Sequence, residues 1–552
     1  MNKERTKRVG IDFLILMTHG LRTCANRRLW TAVLLFAANC NSSPGGGAGD
    51  GGAGLLEGDG GGGLPEGGIG TSACTGRLDP VVPAGAPAVV GLGTPQSCSE
   101  QALRSTLEGV VEKGGGTVVF DCGGTHTITL TSPLAIASAK DQAVVVDGHG
   151  QITISGGGKT RIFDLANHTN FVVERITLAD GFVPQGDPEV PNRPSNSGAA
   201  IRHPWFGTLK AIDVRFLRNQ CASRDKEIGG GAIYAGGLTE TVLSGCEFVG
   251  NVASNGGGIL NRGSTLTIID CRFSGNAALG IGDGQYGNGG GVYIDGMNYE
   301  HPGGNLLVCG TAFEGNTAMT HGSGMFSYFY PGSASVIRDC VFDGNKFDGG
   351  GSGSGALYHE AAPLTLTGTT FASNTGGRHA GGIFLGQGSN AAITNCTFAG
   401  NRVSGNGAGI FNGAAAMNLT NCTFSGNDAD YGPAIFKGES ATVSLRNTLF
   451  AGNTTANRYS ATSCHEAMTD LGGNLQWPRT KSSGNPDQPC VAGIDFADPL
   501  LLPLADNGGP SQTFALAAGS AAIGHGRDCP ATDQRGQPRA SPCDTGAYEH
   551  QP

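Results

Sequence analysis

Arg175, Asp180 and Arg202 are the side chains best suited to acid–base chemistry in this chain. An arginine poised to take a proton beside a carboxylate cluster that holds Ca²⁺ would suit β-elimination. Two carboxylates flanking one bond would suit hydrolysis. Neither set is complete along the chain, because no run of acids accompanies Arg175, Asp180 or Arg202, so no catalytic residue is assigned. Gly148-His149-Gly150 and Gly524-His525-Gly526 each set a histidine between glycines, and with 96 glycines in 552 residues both read as turns. No C-x-x-C pair occurs, which removes the usual zinc-ribbon and redox spacings, and no metal site is assigned. The aromatics offer different chemistry. Trp205, Tyr286, Tyr299, Tyr328 and Tyr330 fall in the stretches 182–206, 277–305 and 317–333, where the spacing of the chain's repeats swells. Loops on one face of a repetitive fold are where binding concentrates, and exposed rings stack on sugars or anchor a protein partner. His359-Glu360 and Arg378-His379 read as solvated turn residues.

The elements that must position these rings come from a repeat. F-x-x-N recurs nine times: Phe216-Asn219, Phe248-Asn251, Phe273-Asn276, Phe313-Asn316, Phe342-Asn345, Phe371-Asn374, Phe398-Asn401, Phe424-Asn427 and Phe450-Asn453. Successive copies lie 25 to 29 residues apart, with two longer intervals of 32 and 40, which is the signature of a solenoid. Three residues before every Phe stands Asp, Asn or Gly, the residues that accept a left-handed backbone, so a bend is expected there. Two residues before each Phe is a small or middling residue, often Cys, whose side chain shares the inward face with the Phe. Glycine-led strands intervene, as in GGAIY at 230–234, GGGVYI at 289–294 and GGIFL at 381–385. About three short strands per repeat predict an all-β, right-handed parallel β-helix. Roughly 13 rungs between 117 and 453 make a rod of ~60 Å. Phe should stack on Phe, and the Asn side chains should form an amide ladder.

The pairing of F-x-x-N with G-G-A-I (Gly230 to Ile233) resembles the repeats of polymorphic outer-membrane proteins. The strand-like runs 117–122, 127–130, 143–148, 152–156 and 171–181 resemble the opening rungs of pectate-lyase-like β-helices. The first resemblance implies a surface-displayed, often adhesive rod; the second is a match of shape more than of chemistry, and its fold suggests polysaccharide chemistry without giving it. Polygalacturonase-like enzymes carry N-T-D, D-D, G-H-G and R-I-K in order, and only G-H-G is present here. Arg202-His203-Pro204 resembles the start of a lyase R-x-P motif without its second Arg. Gly280 to Asn288 (GIGDGQYGN) resembles one calcium-binding nonapeptide, and a single copy makes no site, so no cofactor is assigned beyond a possible role for Ca²⁺.

The ends carry targeting and caps. Arg27-Arg28, a short apolar run from Trp30 to Ala38, and Cys40 resemble a bacterial lipoprotein signal over residues 1–40. Cys40 would be the lipidated residue, although Asn39 departs from the family; Met1 or Met17 would be the start. Residues 41–73 are a Gly-rich tether. Simple secretion is the alternative to an outer-membrane or cell-surface lipoprotein. The body is expected over 74–494, with Ser99 capping a helix that covers the first rung. The 99 residues after Asn453 are too few for a transmembrane barrel, which leaves the lipid as the anchor. Residues 495–552 resemble a choice-of-anchor tail at Asp533, Arg535, Gly536, Asp544, Gly546 and Glu549, and a plain carboxy-terminal cap is the other reading. With Cys24 removed and Cys40 lipidated, 14 of the 16 cysteines remain. Cys98–Cys122, Cys464–Cys490 and Cys529–Cys543 are expected disulfides, and the stacked Cys246/Cys271 and Cys396/Cys422 are expected thiols. A net charge of −10 argues against a nucleic-acid partner. Three classes stay open: a non-enzymatic surface or adhesive rod, a polysaccharide lyase or hydrolase, and a glycan-binding module. A monomer is expected, with a polysaccharide or a surface protein as its partner.

Overall fold

The computed structural model describes residues 74–186, 194–281, 286–296, 305–330 and 332–551. Cys40, the signal, the tether and Tyr299 lie outside them. The chain winds into a right-handed parallel β-helix of about 13 turns with little helix. One turn from the middle of the rod shows the full set of strands. Thr208–Ile212 lies in the first sheet, Arg215–Leu217 in the second, the two-residue Gln220–Cys221 in a short extra sheet, and Ile233–Gly236 in the third. Glu240–Ser244 then returns to the first sheet directly above Thr208–Ile212. The first and second sheets hold 14 strands each, the third 11 and the extra one 6. The third sheet meets the first along one edge of the rod, and the first meets the second along another.

The F-x-x-N repeat sets the stacking. The nine Phe rings form a continuous buried column, with centroids 4.5–5.4 Å apart from Phe216 to Phe450. Each Asn donates from Nδ2 to the Oδ1 of the Asn in the next rung. These eight bonds are 2.9–3.0 Å long and run from Asn219 to Asn453. The same Oδ1 accepts the backbone N–H of the Asn below, and Nδ2 also donates to a Phe carbonyl, as Asn316 does to Phe273 at 2.9 Å. A buried amide is thereby satisfied at both ends.

The bend three residues before each Phe is left-handed in all nine repeats, with φ from +48° to +66°. Its residues alternate Asp213, Gly245, Asp270, Gly310, Asp339 and Gly368 before changing to Asn395, Asn421 and Asn447. A Cβ on Gly245 would fall 2.2 Å from Asp213 Oδ1, and one on Gly368 would fall 2.4 Å from Asp339 Oδ1. Each of these Asp side chains therefore leans across the glycine of the rung above, and carboxylates occur only at every second rung.

The first and last described segments both lie along this edge between the first and second sheets. Cys74 is bonded to Cys309, far along the rod. From there Arg77 pairs with Asp213 at 2.8 Å and Asp270 at 3.6 Å, Leu78 N–H donates to Ser244 Oγ, and Val81 N–H donates to Glu174. The strap ends in Ala88–Val90, which pairs with Gly116–Phe120. Helix α1 (Glu100–Glu112) then covers the first rung through Leu103, Leu107 and Val110, with the Ser99 side chain capping Ala102 N–H. From the other end, the carboxy-terminal segment turns back down the rod. Asn447, Asn421 and Asn395 donate to the carbonyls of Arg527, Asp544 and Thr532, and Thr370 donates to that of Gln512. Disulfides join Cys98 to Cys122, Cys464 to Cys490 and Cys529 to Cys543, while Cys246, Cys271, Cys396 and Cys422 are buried thiols.

Replacing Asn345 by Ala strands Asn316 N–H, the Asn316 amide and Phe313 C=O in the interior. At about 1–3 kcal/mol for each buried unsatisfied group, the cost should be about 3 kcal/mol or more. It is read as a lowered urea midpoint, with exposed Lys346→Ala as the near-neutral control.

Candidate functional site

The three acid–base candidates are kept apart by the fold. Arg175, at a left-handed turn after the first sheet, pairs with buried Asp147. Asp180, at a similar turn after the second sheet, pairs with Arg218 through bonds of 2.9 and 3.1 Å. Arg202, on the outer face of the third sheet, pairs with Asp164. Each is neutralised in its own ion pair on a different side of the rod, so they share no reacting centre.

Exposed aromatics converge instead on the edge where the third sheet turns into the first. The paired strands put Gly236, Arg262, Asp295, Tyr328 and Glu360 in one column, one residue per rung. Trp205, 38% exposed, lies over Gly237, where a Cβ would come 2.3 Å from the indole. Tyr330, 48% exposed, lies back over Gly296, where a Cβ would come 2.5 Å from its ring. Glycine at 237 and 296 is thus what lets the rings lie across the neighbouring rungs. Tyr328 meets Tyr330 edge-on at 6.3 Å. Beside Trp205 a groove of about 550 Å³ is lined by Asn167, Ser195, Arg202 and Pro204. Between the two platforms Arg262 is shared by Glu227 and Asp295. Burial pushes the Asp295 carboxyl up while Arg262 pulls it down, and the net direction is up.

Asp295 and Glu360 stand two rungs apart, but they lean in opposite directions. Asp295 reaches down to Arg262, whereas Glu360 lies against Gly386 in the rung above and accepts from Tyr358. Carboxylates that diverge from ~10 Å of rung spacing do not bracket a single glycosidic bond.

Two expectations need correction. His359 is a fully buried strand residue rather than a solvated turn, because alternation along Leu357–Glu360 turns it inward. Its Nε2 bonds to the Ala362 carbonyl and Nδ1 to Ser327 Oγ. Tyr286 is only partly exposed and sits on the far side of the third sheet, where its carbonyl accepts from Thr320.

The sequence reading also missed an aromatic column on the outer face of the third sheet: Tyr293, Phe326, Tyr358, Phe384, Phe411 and Phe436, stacked at 4.7–5.1 Å. The signal was the aromatic that follows the aliphatic residue in strands such as GGGVYI and GGIFL. Ring faces in this column are covered by neighbouring rings, so the column mainly shows its edges to solvent. It contributes packing rather than stacking platforms.

A family model described as right handed beta helix region matches residues 284–454. Among solved structures, the crystal structure of pectate lyase Pel9A is similar over 78% of this chain and 88% of that chain, at 13% sequence identity and a TM-score of 0.31. No curated protein matches the chain.

Burial pushes His203, His321 and His359 down to about 4. Each is therefore neutral in the folded chain at a pH where the unfolded chain, with a usual value of about 6.5, takes up a proton. Their stabilisation is whole above pH ~6.5 and is lost as the pH falls toward ~4. The urea midpoint should drop across that window and drop less in His359→Gln; a flat profile would contradict the burial of these rings.

Proposed function

We propose that the protein is a non-enzymatic β-helix that binds glycan through the edge between the third and first sheets. The observation that supports this is the line of exposed rings, Trp205, Tyr328 and Tyr330, set on a rigid edge over Gly237 and Gly296. Rings held this way need little ordering on binding, which leaves more of the stacking energy for affinity. The polysaccharide lyase or hydrolase reading would need Arg175, Asp180 and Arg202, or Asp295 and Glu360, to act on one bond, and the ion pairs and directions described above oppose it. We further propose that the chain is exported and held at a cell surface by a lipid on Cys40, with plain secretion as the alternative. Four disulfides among the described residues suit an oxidising compartment. Incorporation of a labelled fatty acid, lost in Cys40→Ala, tests the anchor.

The binding reading is tested with the full chain on immobilised neutral and acidic polysaccharides, with and without Ca²⁺, recording retention and new chain ends together. Retention without new ends is expected, weakened about tenfold or more by Trp205→Ala or Tyr330→Ala. New chain ends in proportion to protein would establish an enzyme. Retention unaffected by either substitution would place the ligand elsewhere, and silence on every glycan would point to a protein partner.

A further inference from the structure

The order of groups along the edge bears on which glycan fits and how it lies. Trp205 covers the rung of Gly237, Arg262 occupies the next, and Tyr330 covers the rung of Gly296. The two platforms are therefore two rungs apart along the rod axis, ~10 Å at the spacing of parallel strands. Tyr328 and Glu360 continue the line in the two rungs above. The rung spacing is close to the length of one pyranose in an extended chain, so successive sugars meet successive rungs.

The charge between the platforms is the second constraint. Arg262 is committed to Glu227 and Asp295, and Arg202, beside the Trp205 groove, is committed to Asp164. A uronate or sulfated sugar laid on this strip would meet carboxylates whose arginines are already engaged, and it would pay for desolvation without gaining a partner. A neutral sugar meets acceptors its hydroxyls can donate to, at Asp295 and Glu360, and the exposed ring surface of Tyr328 and Tyr330 that its C–H groups can lie against.

We propose that the edge takes a neutral, extended glycan running parallel to the rod axis, with about one sugar per rung between Trp205 and Tyr328–Tyr330. This rests on the glycan-binding reading above. The test is calorimetric titration of the full chain with neutral β-linked gluco-oligosaccharides of increasing length, and with oligogalacturonate of matching lengths. Affinity should rise with length until the chain spans the platforms, ~4 sugars at one per rung, and then level off. Trp205→Ala and Tyr330→Ala should each cost about tenfold with the longer chains, and the double variant about the product of the two. Oligogalacturonate should bind more weakly at every length. A disaccharide that binds as tightly as the longer chains, long-chain binding that neither single variant weakens, or preferred binding of oligogalacturonate would overturn the proposal while leaving glycan binding intact. Loss of binding to every glycan, including the immobilised polysaccharides, would overturn the underlying reading and this proposal together.

Discussion

The amide ladder from Asn219 to Asn453 is the interaction on which the rest of the rod depends. A carboxamide carries a donor and an acceptor on one short side chain, so each Asn can bond to the rung below and the rung above at once. Aspartate could not donate and would place like charges one rung apart. Because each Oδ1 holds both the backbone N–H and the amide of its neighbour, a slip of one residue between rungs would break two buried bonds and turn the Phe three positions earlier out of its column. The Phe column fills the interior, while the Asn ladder fixes its register.

Register is also what lines up the proposed binding edge. Once every rung starts at the same place, residues at one offset line up along the rod, and a local change of residue type becomes a local change in the surface. On the outer face of the third sheet, repetition of an aromatic in consecutive rungs produces rings that cover one another. At the adjoining edge the rings are not consecutive. Trp205 and Tyr330 are separated by glycines and charged residues, and both stay partly exposed at the surface. Similar side chains thus contribute packing in one column and partly exposed ring surface in the next.

Much of the fold was legible because it repeats. Nine F-x-x-N units, a left-handed residue ahead of each and Ser99 before an amphipathic stretch report local geometry that the chain imposes on itself. The strap was not legible: Cys74 and Cys309 are 235 residues apart, and only the stacked turns bring Arg77 to Asp213 and Asp270. The alternation of Asp with Gly ahead of the early Phe residues, and the change to Asn ahead of the later ones, could have shown where a basic strap and a carbonyl-rich tail would dock. His359 was misjudged because its neighbour Glu360 is polar, yet strand alternation buries one and exposes the other. Asp533, Arg535, Asp544 and Glu549 stood out in the sequence, and the structure uses them inside the tail. Arg539 pairs with Glu549 and Arg535 with Asp533 beneath the surface, and Asp544 accepts Gly524 N–H.

The candidate site was half legible. Trp205, Tyr328 and Tyr330 were visible as aromatics in swollen repeats, but a common edge for them depends on loop lengths that composition does not reveal. The most direct measurement follows the emission of Trp205 itself. The chain has three tryptophans, so Trp30→Phe with Trp477→Phe leaves Trp205 as the sole reporter. Titration with a neutral polysaccharide should give a saturable change in emission with no new chain ends. Retention of the glycan with the Trp205 signal unmoved, or new chain ends rising with protein, would contradict the account.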